Sequence, residues 1–583
     1  MKKVVTKEGG LTFGGRNISV FLLMFVFVLF SWTSFAQKLI NGKVTGNEGE
    51  TLCGVNVVEK GTYNGTATDS NGNYFIRVGS TDASLVFSIY GMKTEEIPVA
   101  NQSIINCTLK KLNNPYKTGD AEIANLKLLN LWGERPDAVN ILYKKAFEVF
   151  ASKPLEATYS DLANDKDVQQ LCKKDHITHW GGPMLGQIGP HGASVWMRTL
   201  RPAKVEVLVS VNGKEKKFGP VQSTAETDLT AIVPVTGLKP GSSNAYKVLI
   251  DGQPIPVADN TVINTPLEES TPAQTRIVFG SDFHRWGLGN QKQVDAIKSR
   301  KPVAMLLGGD IAVQDKYNKV GLHRADFLLR DFYPAWKSLV AEVPVYVTWD
   351  DHDYFGNDLA GIPKGFTEND KEAVWQVFRY AWNNPSYGLG EKGKGNFFRT
   401  RIGPADIIML DDRYFRTGEK GSFLGDEQMK WLKKQLLDCK GPFIILSCGT
   451  MWSDYVSNGK DSWGANDPKG REQIFKLIED NNIGGVLLIS GDRHGARGFR
   501  IPRPSGFNFY EFEVGSLGGR TGPAAHKDEW KTQFYGINGK YAFGEFTFDT
   551  TRPDSEVTFR LIGDDKKIIY EMKLTRSELT PKK

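Results

Sequence analysis

The sequence predicts a multi-domain chain: two N-terminal all-β sandwiches followed by a C-terminal α/β domain. Three observations carry that prediction. At 583 residues the chain is several times longer than one ordinary domain. Short β-prone runs broken by turn signals fill residues 38–111 and return over 183–266. From about Thr275 to Asp565, apolar runs of strand length alternate with amphipathic helical stretches, the pattern of a layered α/β fold. The 40% apolar and 24% charged content is that of a globular protein. The formal net charge of +6 falls to +3 without the first 36 residues, which hold four basic residues and one acid. So small an excess points to no nucleic-acid partner.

In chain order, residues 1–36 read as a signal peptide, with a basic start, an apolar run over 18–30 and Ser34-Phe35-Ala36 before Gln37. That run is too short for a comfortable membrane span. The expected location is therefore the periplasm, the medium or the cell surface, with no transmembrane span after cleavage. Residues 37–112 form the first β unit, with runs at Leu39-Ile40, Val55–Val58, Tyr74–Val78 and Leu85–Ile89 and a tight turn over 69–73. Its order of Gly42-Lys43-Val44, Leu52–Val57 and Thr68–Tyr74 resembles the carboxypeptidase regulatory-like domain of exported bacterial proteins. The resemblance implies a structural or adhesive role at the outer membrane or cell surface. Residues 113–175 carry apolar positions at spacings of three and four, interrupted by Pro115, Pro136 and Pro154, and read as a connector of short helices. Residues 176–270 hold four more strand-like runs, and Val235–Gly241 ahead of Tyr246 resembles the turn-and-tyrosine arrangement of fibronectin-like sandwiches. His176, His179 and His191 gather near its start, without the acids or cysteines that would make a convincing metal set. Residues 271–575 are the α/β domain, and 576–583 a polar tail. Of the five cysteines, Cys53 and Cys107 fall in one β unit and can pair; Cys172, Cys439 and Cys448 read as buried thiols.

The chemistry lies in four short clusters, each closing an apolar run. They are Asp282-Phe283-His284, Gly309-Asp310, Asp350-Asp351-His352-Asp353 and Gly491-Asp492-Arg493-His494. Such runs read as buried strands. If all four end at one edge of a sheet, their acids and imidazoles converge, since sites of layered α/β folds form at strand ends. Carboxylate oxygens and imidazole nitrogens suit hard and borderline cations, and two such ions about 3.5–4 Å apart clamp a phosphoryl group. Asp310, after two glycines, is the candidate bridge between them. His352, flanked by acids, is expected to stay protonated near neutral pH and to act as a general acid. Arg413 can meet a phosphate bidentately, or pair with Asp411 or Asp412.

These motifs resemble the alkaline phosphatase D (PhoD-like) branch of the metallophosphoesterase superfamily, in which Trp-Asp-Asp-His and Gly-Asp-x-His are typical forms. Leu410–Arg416 and Leu424–Gln428 extend the likeness, which covers roughly residues 180–565. It implies a four-layer metallophosphoesterase domain that hydrolyses phosphate esters. It also implies two divalent or trivalent ions, from among Ca, Mn, Zn, Mg and Fe, with a bridging hydroxide as nucleophile. By resemblance, Asp282, His284, Asp310 and His494 hold one ion, Asp310, Asp351 and Asp492 the other, and His352 is the acid. Two departures stand out. Val313 occupies the place of the iron-binding tyrosine of purple-type relatives, and the lone histidine expected on the run at 444–449 is absent, so that the second ion is held weakly, through water, or by Asp353, Cys448 or another group. A phospholipase-like diesterase, or a surface-binding protein with a secondary phosphatase-like domain, are the alternatives.

Overall fold

The computed structural model describes residues 38–582 apart from 53–54, 61, 63, 70, 90–91, 112–119, 258–260, 390–393, 419–420, 455–460 and 521. The signal segment and the Cys53–Cys107 pairing therefore lie outside the described residues.

The first β unit is two small sheets. One orders Asn73–Val78, Lys38–Gly46 and Cys107–Leu109; the other orders Gly65–Ala67, Asn56–Glu59, Ser84–Ser88 and Glu95–Pro98. Strict alternation in Asn73–Val78 turns Tyr74, Ile76 and Val78 inward and leaves Phe75 and Arg77 outward. Four helices follow, Asp120–Leu129, Asp137–Ser152, Tyr159–Asn164 and Lys166–Lys174. They pack on the α/β domain, where the Tyr143 hydroxyl donates to the Ala325 carbonyl at 3.1 Å. The second β unit, from His179–Gly189 to Val262–Asn264, again has two sheets. The Tyr246 hydroxyl reaches out of it to the Ala341 carbonyl of the α/β domain, 2.9 Å away. That tyrosine fastens two domains together instead of closing a corner within its own sandwich.

The α/β domain contains two facing sheets. Six strands run in the order Val345–Val347, Ala304–Leu307, Gln274–Gly280, Ala542–Asp549, Glu556–Gly563, Ile568–Thr575, and the first three are parallel. The second sheet has seven, with Ala405–Met409, Phe443–Ser447, Val486–Ser490 and Asn508–Gly515 parallel at its centre. Burial on both faces explains why Ala304–Leu307 and Val345–Val347 are apolar throughout, successive residues pointing to opposite sides of the sheet. Ile277, Phe279, Ala304, Leu306, Leu487 and Ile489 share the core between the sheets. Val278, Met305 and Leu307 face helices such as Val320–Phe332 and Glu368–Ala381 on one outer side. Val486 and Leu488 face Gly425–Asp438 and Pro468–Asp480 on the other. The result is helix, sheet, sheet, helix. Aromatic rings cross the seam, with Phe512 4.5 Å from Phe559 and Phe443 4.9 Å from Phe548 between centroids.

Two expectations are corrected. Three of the cluster-bearing strands belong to one sheet and the fourth, Val486–Ser490, to the other, so the clusters meet across a seam and not along one edge. The polar tail is pinned, with Leu579 fully buried and its carbonyl accepting from the Gly485 amide.

Candidate metal centre

The four strands deliver their loops to one place, and backbone hydrogen bonds tie those loops together. The Asp282 amide donates to the Gly309 carbonyl at 3.1 Å, the His284 amide to the Asp310 carbonyl at 2.9 Å and the Gly491 amide to the Gly449 carbonyl at 2.8 Å. Left-handed backbone recurs there in residues other than glycine, at Asp282, His284, Asp310, Asp315, Asp492 and His494, with φ between 41° and 74°. Asp and His tolerate that region better than most, yet each instance costs about 1–3 kcal/mol and persists only where surrounding structure fixes it.

The side chains sort into three groups whose donor atoms lie close enough to share an ion: Asp282 with His284 and His494; Asp310 with Asp351 and His352; and Asp350 with Asp351 and Asp492, the last two sharing Asp351. All six expected metal ligands are therefore brought together, and His352 with them. In the first group the His494 Nδ1 stands 2.9 Å and the His284 Nε2 3.6 Å from Asp282 Oδ1, an oxygen with no aligned hydrogen bond. The Gln314 Oε1, 3.0 Å from His284 Nδ1, accepts that proton and leaves the Nε2 lone pair turned to the cluster. Both oxygens of Asp310 are buried without a hydrogen-bond partner among the described residues. Burial, then the charges of Asp351, Asp350 and Asp282, push its carboxyl well above the ordinary range. Asp492 is pushed up to about 7, by burial ahead of Asp351 and against Arg493. Burial and neighbouring Arg520 lower His494 to about 4. Crowded, dehydrated carboxylates beside neutral imidazoles are what a cation relieves, so the residues present fit a metal pair.

His352 sits at the edge of this group. Its Nδ1 lies 2.7 Å from Asp315 Oδ1 and its Nε2 3.9 Å from Asp310 Oδ2. Burial alone would lower the imidazole, but Asp315 and Asp351 outweigh it and lift the group to about 9. The decisive partner is thus Asp315, from a separate loop, and not only the adjoining acids expected to hold it.

Other assignments change. Arg413 pairs with neither Asp411 nor Asp412 through its guanidinium: Nε donates to Asp350 at 2.5 Å and Nη1 to Asp461 at 2.8 Å. Asp411 instead takes the Arg413 and Tyr414 amides and the Trp349 indole. Asp353 faces the amides of Ile311, Ala312 and Val313 at 3.2–3.4 Å, where it holds the turn after Asp310. Cys448 donates to the Thr450 carbonyl at 2.8 Å, and burial drives its thiol well up. Asp350 packs against Gly449, at the end of the run that lacks a histidine. A Cβ on Gly449 would come within 2.5 Å of its carboxylate, and one on Gly309 within 2.5 Å of its Cβ, so both glycines are required for its approach. His191 pairs with Glu268 and His179 touches Thr178; neither joins a group of three metal-type side chains among the described residues. Sequence reasoning gave no ligand role to Asp350, and it missed Asp315, Gln314 and above all Arg520. The Arg520 Nη1 lies 3.2 Å from both His284 Nε2 and His494 Nε2. The doubled acid of Asp350-Asp351 was a legible signal for the first of these; the others carry none.

Two facing sheets with acid and imidazole loops at their common edge define the metallophosphatase fold. The comparisons agree. The structure of PhoD superposes with a TM-score of 0.56 at 17% identity, over 68% of this chain and 89% of that one. Purple acid phosphatase PPD1 from yellow lupin seeds gives 0.51 at 12%, over 88% and 83%. Within that class, residues 314–559 match the PhoD-like phosphatase family. Residues 40–117 match the CarboxypepD_reg-like domain and 179–266 a domain of unknown function (DUF7800). Alkaline phosphatase D of Bacillus subtilis is 25% identical over 216 residues, 32% of this chain and 35% of that protein. TonB-dependent receptor P39 of Formosa agariphila is 38% identical over 100 residues, 17% of this chain and 9% of the receptor. The chain thus spans about a tenth of that receptor's length and about a third of the phosphatase's.

Proposed function

We propose that this protein is an exported, metal-dependent phosphoric ester hydrolase acting on mono- or diesters. The observation that carries the reading is Asp310, buried with neither oxygen hydrogen-bonded among the described residues, and within reach of the charges of Asp282 from the imidazole-bearing group and of Asp350 and Asp351 from the all-carboxylate group. In this reading Asp282, His284, Asp310 and His494 hold one ion, and Asp310, Asp351 and Asp492 the other, with Asp350 beside them. Any of Ca, Mn, Zn, Mg and Fe remains open to the pair. Two such ions supply Lewis acidity to the phosphoryl oxygens and lower the pKa of water. The chain's own part is proton management and alignment. His352 carries a proton on Nε2, facing the cluster, and gives it to the departing alkoxide oxygen, while Asp315 fixes the ring through Nδ1. Arg413 positions Asp350 and does not touch the ester.

Export is supported by the sequence at 1–36 and by the likeness of the first β unit to TonB-dependent receptors, which suits the outer membrane or cell surface. No helix among the described residues is long and apolar enough to cross a membrane. Purified protein is expected to hydrolyse p-nitrophenyl phosphate or its bis ester, and to lose that activity on chelation and in His352→Ala. Failure on both esters with every divalent ion above would leave a surface-binding protein as the better account.

A further inference from the structure

The N-terminal sandwich reaches the candidate centre itself. Asn56, on its strand Asn56–Glu59, is 5% exposed and its Oδ1 accepts from Arg520 Nη2 at 3.0 Å. The Arg520 guanidinium, fully buried, lies 3.8 Å over the Trp286 ring, and its Nη1 meets both imidazoles of the first ligand group. A stacked ring and an amide oxygen from a separate domain fix the plane of this cation. In the ligand reading above, the lone pair of His284 Nε2 belongs to a cation, which takes that acceptor from Nη1. A phosphoryl oxygen at the cluster is the acceptor of matching charge, and a guanidinium is the donor that suits it.

A cleft of about 610 Å³ opens beside this contact. Its walls are Leu39, Phe75 and Arg77 on one side and Gly519, Gly522 and Tyr541 on the other. Phe75 and Leu39, 39% and 43% exposed, are outward residues of paired strands, so the sandwich turns a mixed apolar and cationic face to the cleft. The opposite wall is one peptide layer from the centre, because a Cβ on Gly522 would come within 2.7 Å of the His494 Cβ. That volume is typical of small-molecule sites.

We propose that Arg520 binds the phosphoryl group, that Asn56 of the N-terminal sandwich positions it, and that the cleft receives a ring-bearing alcohol part of the ester. The proposal rests on the phosphoesterase reading and makes the first β unit a wall of the active site. The test uses full-length, metal-loaded protein, with inorganic phosphate binding followed by calorimetry and kinetics on methyl phosphate and a nucleoside monophosphate. Asn56→Leu is expected to weaken phosphate binding and raise KM about tenfold, the equivalent of ~1.4 kcal/mol, with kcat nearly unchanged and metal content intact. Asn56→Asp keeps an acceptor and should restore both; Arg520→Lys keeps the charge, loses the fork and should weaken phosphate in the same way. Phe75→Ala should raise KM for the nucleotide more than for methyl phosphate. Unchanged phosphate affinity and KM in both Asn56→Leu and Arg520→Lys, in a sample whose wild type is active, would overturn this proposal alone. A wild type that neither binds phosphate nor cleaves any ester would overturn the underlying reading as well.

Discussion

Asp282, His284 and His494 make one half of the candidate centre and Asp350, Asp351 and Asp492 the other, and the two are neutralised differently. In the first half one carboxylate meets two imidazoles. There burial counts first, but the two imidazoles beside it win and hold Asp282 below its ordinary range. In the second half three carboxylates crowd together, and Arg413 beside Asp350 and Arg493, 2.7 Å from Asp492, offset only part of the repulsion. Nitrogen donors favour borderline ions such as Zn and Fe, whereas oxygen-only sets favour Ca, Mg and Mn. The difference teaches that one seam between two sheets can present two donor sets of unlike chemistry without two unlike folds.

The comparison can be broken most severely at Asp310, the residue proposed to bridge the two halves. Asp310→Asn is expected to abolish ester hydrolysis and to reduce bound metal, read by elemental analysis alongside rates. His352→Ala should cost about 10²–10⁴ in kcat while metal content is retained, because the imidazole moves protons and the cluster remains. In metal-free protein the His352 ring should titrate near 9 by NMR. Its folded value lies above the unfolded ~6.5, so its contribution to stability is full below that pH and is lost as pH rises through 9. Asp315→Asn removes the raising charge and should bring the midpoint down. A smaller effect separates the halves themselves. His494→Ala should lose zinc before calcium and Asp350→Asn calcium before zinc, as followed by metal-dependent shifts in melting temperature. The smallest change is expected for Cys448→Ser, about 1 kcal/mol of stability with metal content unchanged. A loss of bound metal there would return Cys448 to the ligand set.

Much of the centre was legible because its chemistry sits at the ends of apolar strands, and strand length and acid placement are local properties. Sheet membership is not local. Val486–Ser490 and Gln274–Gly280 have equivalent apolar runs, and nothing in either tells which of two sheets it joins. Asp353 and Arg413 were over-read for the opposite reason, since their residue types suit the site while their partners, the 311–313 amides and Asp461, lie elsewhere in the chain. Arg520 could not be found at all. It follows two glycines on an irregular loop after Asn508–Gly515, and only the fold brings it to His284, 236 residues away. The N-terminal sandwich was read correctly as a β unit, yet alternation says which side of a strand is outward and not what stands in front of it.

Because the candidate ligands hang from two separate sheets, the spacing of their donor groups is not set within any single loop. It is set by how the sheets rest on one another, through rings such as Phe512 against Phe559 and Phe443 against Phe548. The aromatic filling of the seam acts as a gauge block: shaving one ring would let the jaws close or skew, and the reaction would register a change made far beneath it.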